Sequence, residues 1–373
     1  MEIGGAEREL VTFLEAAVGA GYSFQVISLA KEGAFREEVE RLTGKPVLSP
    51  TSELWLLRLL WFRRIILKLR PSIVHSWNMF PMYYLALAFK RRPCPFIGFL
   101  QNMPSQWDGK SWLRWTVPFL VRSPDALISN SRAALRELEK REIKTGPSIV
   151  VHNGVQQKFF EGHPTAAIQT IRNSECVVVG LGRLIERKRV NWIIHAVARL
   201  RKEGLAVDLW LIGDGPERQI LEALSERESI RNRVTFWGER YDVQDILSAA
   251  DIMAHCASAE GLPNAVQEGM AAGLPVVAAR TSGIPEIIEH GKEGLLFDVD
   301  DFEEFVASLR RLVIDKAERA VMAHAARFRA ETNFLPRIMA EKITGFYEKI
   351  LDGALDKKSD RPKSATHPQG SHH

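Results

Sequence analysis

Cys176-Val177-Val178-Val179-Gly180-Leu181-Gly182-Arg183-Leu184-Ile185-Glu186-Arg187-Lys188 reads as a strand that ends in a glycine turn and runs into a basic loop. The apolar run is unbroken rather than alternating, as expected of a strand covered on both faces in a parallel sheet. Leu211-Ile212-Gly213-Asp214-Gly215-Pro216 repeats the pattern: a strand, a glycine turn, and a proline suited to open the next helix. Arg183 and Lys188 could offer a forked guanidinium and an ammonium to a pyrophosphate. A basic loop alone is more often a solvated surface, and a lone glycine turn is a weak motif.

Outward from this stretch, short apolar runs alternate with amphipathic segments along the whole chain, the pattern of parallel sheets covered by helices. Strands are expected at 24–29, 73–76, 95–100, 126–129 and 148–151, then at 176–181, 207–212, 234–237, 252–255, 275–279 and 294–297. The fold class is therefore α/β, with two facing doubly wound, Rossmann-like domains. One covers 1–154 and the other 174–334, with 155–173 as an aperiodic linker containing Gly162 and Pro164. A helix at 335–351 ends before Gly353, and the Lys-, Ser-, Pro- and His-rich tail at 354–373 is expected to be disordered. The start is unusual. Met1-Glu2-Ile3 leads straight into Gly4-Gly5-Ala6-Glu7-Arg8, where such a glycine turn normally follows a strand of about five residues. Either the true start lies upstream, or the first sheet lacks its first strand.

Composition excludes several classes. With 46% hydrophobic and 26% charged residues among 373, and no apolar run approaching a membrane span, the chain reads as soluble. Cys94, Cys176 and Cys256 form no CxxC pair, and the histidines show no HExxH spacing, so no metal site is expected and the expected location is cytoplasmic. Residues 1–160 hold 22 Lys and Arg against 14 Asp and Glu, a net of +8, while the chain as a whole is at +4. Most of that excess lies between 50 and 125, together with Trp55, Trp61, Trp77, Trp107, Trp112 and Trp115. Bases interleaved with tryptophan suit an anionic membrane surface. Trp55, Leu56, Leu59, Leu60, Phe62 and Ile66 also sit at helical spacing, so they fit a buried helix face equally well. No nucleic-acid motif is present.

A second informative stretch is Glu260-Gly261-Leu262-Pro263-Asn264-Ala265-Val266-Gln267-Glu268. Pro263 predicts a helix starting at about Leu262, whose first amides would form an anion site. Glu260 then precedes that site, and Glu268 lies about a turn and a half inside the helix. Carboxylates beside a phosphate need hydrogen-bond donors, and sugar or ribose hydroxyls supply them, which suggests a nucleotide sugar. Helix capping and solubility would equally account for two glutamates near a helix start.

In order, Gly4-Gly5-Ala6-Glu7-Arg8, His152-Asn153-Gly154-Val155, Gly182-Arg183-Leu184 with Lys188, Gly213-Asp214-Gly215-Pro216, Phe236-Trp237-Gly238, Ala250-Asp251, Glu260 to Pro263 with Glu268, and Gly283-Ile284-Pro285-Glu286 resemble the retaining glycosyltransferases of family 4. The resemblance covers about residues 4 to 350 and implies the two-domain GT-B fold, with the 335–351 helix packing back on the first domain. It implies that Arg183 and Lys188 neutralise a donor diphosphate, that Glu260 stands beside the donor sugar and that Glu268 holds the ribose. The backbone of Gly261, Leu262, Pro263, Asn264 and Ala265, with Gly182, Gly4 and Gly5, would meet the diphosphate and sugar. The Trp237–Tyr241 segment with Arg240 would border the base. His75, Gln101 and Asn102 fall on the acceptor side, and Gln101 stands where many members carry histidine. The implied activity is metal-independent and cofactor-free transfer of a hexose or N-acetylhexosamine from a UDP- or GDP-sugar. The implied acceptor is a lipid-linked saccharide or polysaccharide of the cell surface, met by an enzyme peripheral to the inner face of the plasma membrane. An epimerase of the same fold, or a non-catalytic nucleotide-sugar binder, are the alternatives.

Overall fold

A computed structural model describes residues 5–30, 33–107 and 111–359, with side chains described outside 106–115 and 354–359. Two parallel sheets organise it. The first holds β1 (Val74–Ser76), β2 (Phe96–Leu100), β3 (Ala126–Ser129) and β4 (Ser148–Val150), side by side in that order. The second holds β5 (Cys176–Leu181), β6 (Val207–Ile212), β7 (Val234–Gly238), β8 (Ile252–His255), β9 (Val276–Ala279) and β10 (Gly294–Phe297). Its spatial order is β10-β9-β8-β5-β6-β7. That is the doubly wound order, and the chain reverses direction across the sheet between β5 and β8, where such folds bind their ligands.

The second sheet is covered on both faces, so its strands are almost wholly buried: Val177, Val178, Val179, Leu209 and Trp210 are closed to solvent. This explains why unbroken apolar runs marked these strands in the sequence. On the first sheet, the helix Gly5–Ala17 packs Val11, Phe13, Leu14 and Ala17 against Met339, Ala340, Ile343, Phe346 and Tyr347 of the helix Pro336–Ser359. The final helix thus packs back on the first domain.

Four expectations are corrected. Residues 24–29 make no strand. Ile27 bridges Leu48 alone, with Ser28 N–H donating to Leu48 O at 2.9 Å and Leu48 N–H to Val26 O at 3.1 Å. The segment still alternates as a strand does, with Phe24 and Val26 on one core and Ile27 and Leu29 on another. A ladder needs a neighbour, and β1, the edge of the described sheet, pairs only with β2. The expected absence of a first strand, and Gly4 with it, falls on residues 1–4, outside those described. The linker is also more structured than its aperiodicity implied. A 3-10 turn, Gln157–Phe160, and a helix, Ala166–Ile171, bury Phe159, Phe160 and Ile168 in the core of the second domain. Elements this short cannot display a 3.6-residue period. The final helix passes through Gly353 to Ser359, where the tail was expected from 354, and residues 360–373 lie outside those described. Lastly, the helix after β8 is Asn264–Ala271, with Pro263 as its N-cap rather than its first turn.

Candidate active site in the interdomain cleft

The loops at the ends of β5 and β8 build the centre. Gly182 and Gly213 adopt φ of 138° and 121°, a region that favours glycine. A side chain on Gly213 would meet Gly182 O at 2.2 Å, so the two turns stack backbone on backbone. Gly182 N–H donates to Ile212 O at 2.9 Å and Leu184 N–H to Asp214 O at 2.8 Å, which fixes the loop. A 3-10 turn, Glu186–Lys188, then brings Lys188 back over Gly182. Arg183 is exposed on this loop and lines one recess with Gly182, Lys188 and His255.

Lys188 Nζ is ion-paired with Glu260 Oε1, and His255 Nε2 lies 3.0 Å from Glu260 Oε2. A carboxylate only accepts, so His255 donates through Nε2–H. Burial opposes ionisation of Glu260, but the Lys188 ammonium and the His255 hydrogen bond outweigh it and hold this carboxyl well below its usual range. Burial, with Lys188 nearby, pushes the His255 imidazole down despite Glu260, which keeps it neutral. Glu260 N–H donates to Ser282 Oγ at 3.2 Å, completing the anchorage.

Immediately after Glu260 the chain touches the other domain. A side chain on Gly261 would fall 2.2 Å from Gln101 O and 3.4 Å from Asn102 Cα, so only glycine allows this approach. Asn153 Nδ2 donates to Asn264 Oδ1, and Gln267 Nε2 to Asn153 O at 2.9 Å. Gly5 abuts Asn264 as well. Glu260, Lys188, Arg183 and the Gly261–Ala265 backbone are thereby brought to one cleft with Gln101, Asn102 and Gly5.

Glu268 is buried and accepts from Arg8 Nη1 at 3.2 Å, across the cleft. Burial raises its carboxyl and Arg8 only partly offsets that. Beside Arg8, Glu9 is buried too. Gln101 Nε2 donates to its Oε2 at 2.7 Å, whereas Oε1 has no hydrogen-bond partner among the described residues. Burial pushes the Glu9 carboxyl well above its ordinary range. Arg8, Glu9, Thr12, Asn264 and Glu268 line one recess. Sequence reasoning missed Arg8, Glu9 and His255. Arg8 stood in the quoted glycine-turn motif, and its charge was the available signal.

Two expected site residues lie outside the Lys188–Glu260–His255 cluster. His75 Nδ1 is 2.7 Å from Tyr347 Oη, and its ring packs against Trp77 and Phe99. Burial pushes this imidazole down to about 3. It belongs to the packing of β1 against the final helix. Arg240 is exposed, forks onto Asp242 at 2.7 and 2.6 Å, and lies over the Trp237 ring at 5.5 Å.

Comparison with known proteins gives the arrangement a relationship. The family described as Glycosyltransferase Family 4 matches residues 3–159, and the one described as Glycosyl transferases group 1 matches residues 175–315. The lipopolysaccharide core biosynthesis glycosyltransferase LpsE of Rhizobium meliloti is 35% identical over 47% of this chain and 49% of its own. LpsD of the same organism is 34% identical over 61% of this chain and 62% of its own. The chain thus spans about half to three-fifths of the length of these curated relatives. The crystal structure of Anabaena HepE in complex with UDP-glucose superimposes with a TM-score of 0.80 at 22% identity, covering 93% of this chain and 97% of that one, which shows the two-domain GT-B fold. With both domains matched in order and the cleft built between them, the chain belongs to glycosyltransferase family 4.

Proposed function

We propose that the protein transfers a hexose or N-acetylhexosamine, with retention, from a UDP- or GDP-sugar to a lipid-linked saccharide or polysaccharide acceptor in surface glycan synthesis. The observation that carries this reading is the Lys188–Glu260–His255 cluster beside Arg183 at the switch point of the second sheet. Relatives support it: LpsE and LpsD carry out lipopolysaccharide core biosynthesis, and HepE binds UDP-glucose.

In this mechanism Arg183 and Lys188 neutralise the donor diphosphate without a metal ion. Glu260, kept ionised, accepts hydrogen bonds from sugar hydroxyls, and Glu268 accepts from the ribose through carboxylate lone pairs that Arg8 leaves unused. The bond from the anomeric carbon to the phosphate oxygen breaks with its electron pair left on that oxygen. The acceptor oxygen bonds the same face of the sugar and passes its proton to the departing phosphate. Lys188 and Arg183 stabilise charge as it develops there, commonly the largest catalytic contribution.

Release of nucleoside diphosphate across a panel of UDP- and GDP-sugars tests the reading. One donor is expected to turn over equally with and without EDTA, and Lys188→Ala to lower kcat by about a hundredfold or more. Full turnover in Lys188→Ala or Glu268→Ala would overturn the site. Conversion of the sugar without an acceptor would favour an epimerase.

A further inference from the structure

The helix Trp55–Leu69 has two apolar sides, and the fold uses one. Phe62 and Ile66 are buried against Tyr84, Leu85 and Phe96, with Leu59 and Trp61 packed beside them. At about 100° per residue, Leu56, Leu60 and Leu67 fall within roughly 40° of one another, about a third of a turn round from the buried line. They are 52%, 55% and 48% exposed, and Leu54, Trp55 and Leu57 at the helix start are 67%, 60% and 47% exposed. A solvent-facing side should be polar. Here it is a leucine stripe.

The charge around the stripe is predominantly positive. Arg58, Arg63, Arg64, Lys68 and Arg70 lie on the helix or its C-cap, and Glu53 is the only acid between 50 and 90. Arg58 Nε donates to Ser52 O at 2.8 Å and Arg63 Nη1 to Ala88 O at 2.6 Å, so neutral carbonyls hold them and leave the field positive. Arg64 and Lys68 are exposed along the flank of the stripe. Trp55 alone, of the three tryptophans in this window with described side chains, faces water; Trp61 and Trp77 pack inward.

We propose that this face docks on an anionic phospholipid bilayer. Leu56, Leu60 and Leu67 enter the boundary of the acyl chains, and Arg64, Lys68 and Arg70 lie among the headgroup phosphates. A second copy of the chain would set like charges against each other across the same stripe. The proposal deepens the reading of a lipid-borne acceptor, since docking holds the first domain where such an acceptor is presented, yet the contact itself needs no turnover.

The test is sedimentation of the full chain with phosphatidylcholine vesicles and with vesicles containing added phosphatidylglycerol. Binding is expected to the anionic vesicles only and to weaken with salt. The variant Leu56→Ser/Leu60→Ser/Leu67→Ser is expected to lower partitioning about tenfold or more. Arg64→Glu/Lys68→Glu, which changes two exposed side chains only, should abolish the anionic preference with an unaltered melting temperature, and it carries the test should the leucine variant misfold. Equal binding of the unaltered protein to both vesicles would overturn the proposal. So would a dimer in sedimentation velocity that the leucine variant loses, because it would give the stripe to a second copy. Nucleoside diphosphate release with a water-soluble acceptor is measured alongside, so a failed transferase reading and a failed docking surface are told apart.

Discussion

Glu260 and Glu9 are carboxyls in one cleft that burial treats alike and neighbours treat differently. Glu260 has Lys188 and His255, so its folded-state affinity for protons is depressed. Its contribution to stability is present above the ordinary carboxylate range and is lost as pH falls below it. Among the described residues Glu9 has only the Gln101 amide, and its proton affinity is raised. The unfolded chain then ionises first, so Glu9 costs stability progressively as pH rises from about 4.3 towards its own raised value. Glu9→Gln keeps an acceptor for Gln101 and removes that cost. Its melting temperature is expected to match the unaltered protein near pH 4 and to exceed it by a margin that grows towards neutrality. A margin independent of pH would mean that Glu9 is ionised in the fold. Lys188, Glu260 and Glu268 were legible because each sits at a fixed offset from a strand end or helix start. Arg8 and Glu9 were not, since their partners lie 260 and 92 residues away along the chain.

The helix Arg132–Lys140 begins without enough caps of its own. Ser131 Oγ accepts from Ala134 N at 3.2 Å, but Arg132 N–H and Ala133 N–H donate to Glu286 of the other domain at 2.8 and 2.7 Å. Burial opposes the charge on Glu286, while His152 and these two amides stabilise it and keep the carboxyl below its ordinary range. One domain therefore caps a helix of the other, with carboxylate and helix dipole aligned. Glu286→Ala is expected to cost about 1 to 2 kcal/mol in urea unfolding, and Glu286→Gln less. An unchanged midpoint would mean the cap is not formed in solution. At this scale the second domain was almost fully legible: β5, β6, β8 and β10 fall on their expected residues, because burial on both faces leaves an unbroken apolar signal. The first domain was less so. Residues 24–29 carry the alternation of a strand, but strand formation depends on a neighbour that local sequence does not encode.

Across the whole molecule, the chain passes between domains twice, near Val151–Val155 and near Phe334–Pro336. The two passages are joined, Val155 N–H donating to Phe334 O at 2.7 Å. Two such linked passages make a hinge, so opening of the cleft would separate Arg8 from Glu268 and Gln101 from Gly261 together. The final helix lies beyond this hinge and covers Val11, Phe13, Leu14 and Ala17. A chain ended at Asn333 is expected to keep a folded second domain and lose the first. Limited proteolysis should then cut within 5–150 while 175–333 resists, and equal resistance of both halves would refute this.

The same helix inverts the order of events during synthesis. Domains usually fold as they emerge, the N-terminal one first. Here the half made first lacks the cover of its first helix until residues 336–350 have left the ribosome, whereas the half made second has its whole sheet by Phe297. The nascent chain therefore carries an open apolar face from the emergence of its first helix until residues 336–350 follow. It closes only when that helix arrives, which makes its docking the step on which chaperone dependence and misfolding should turn.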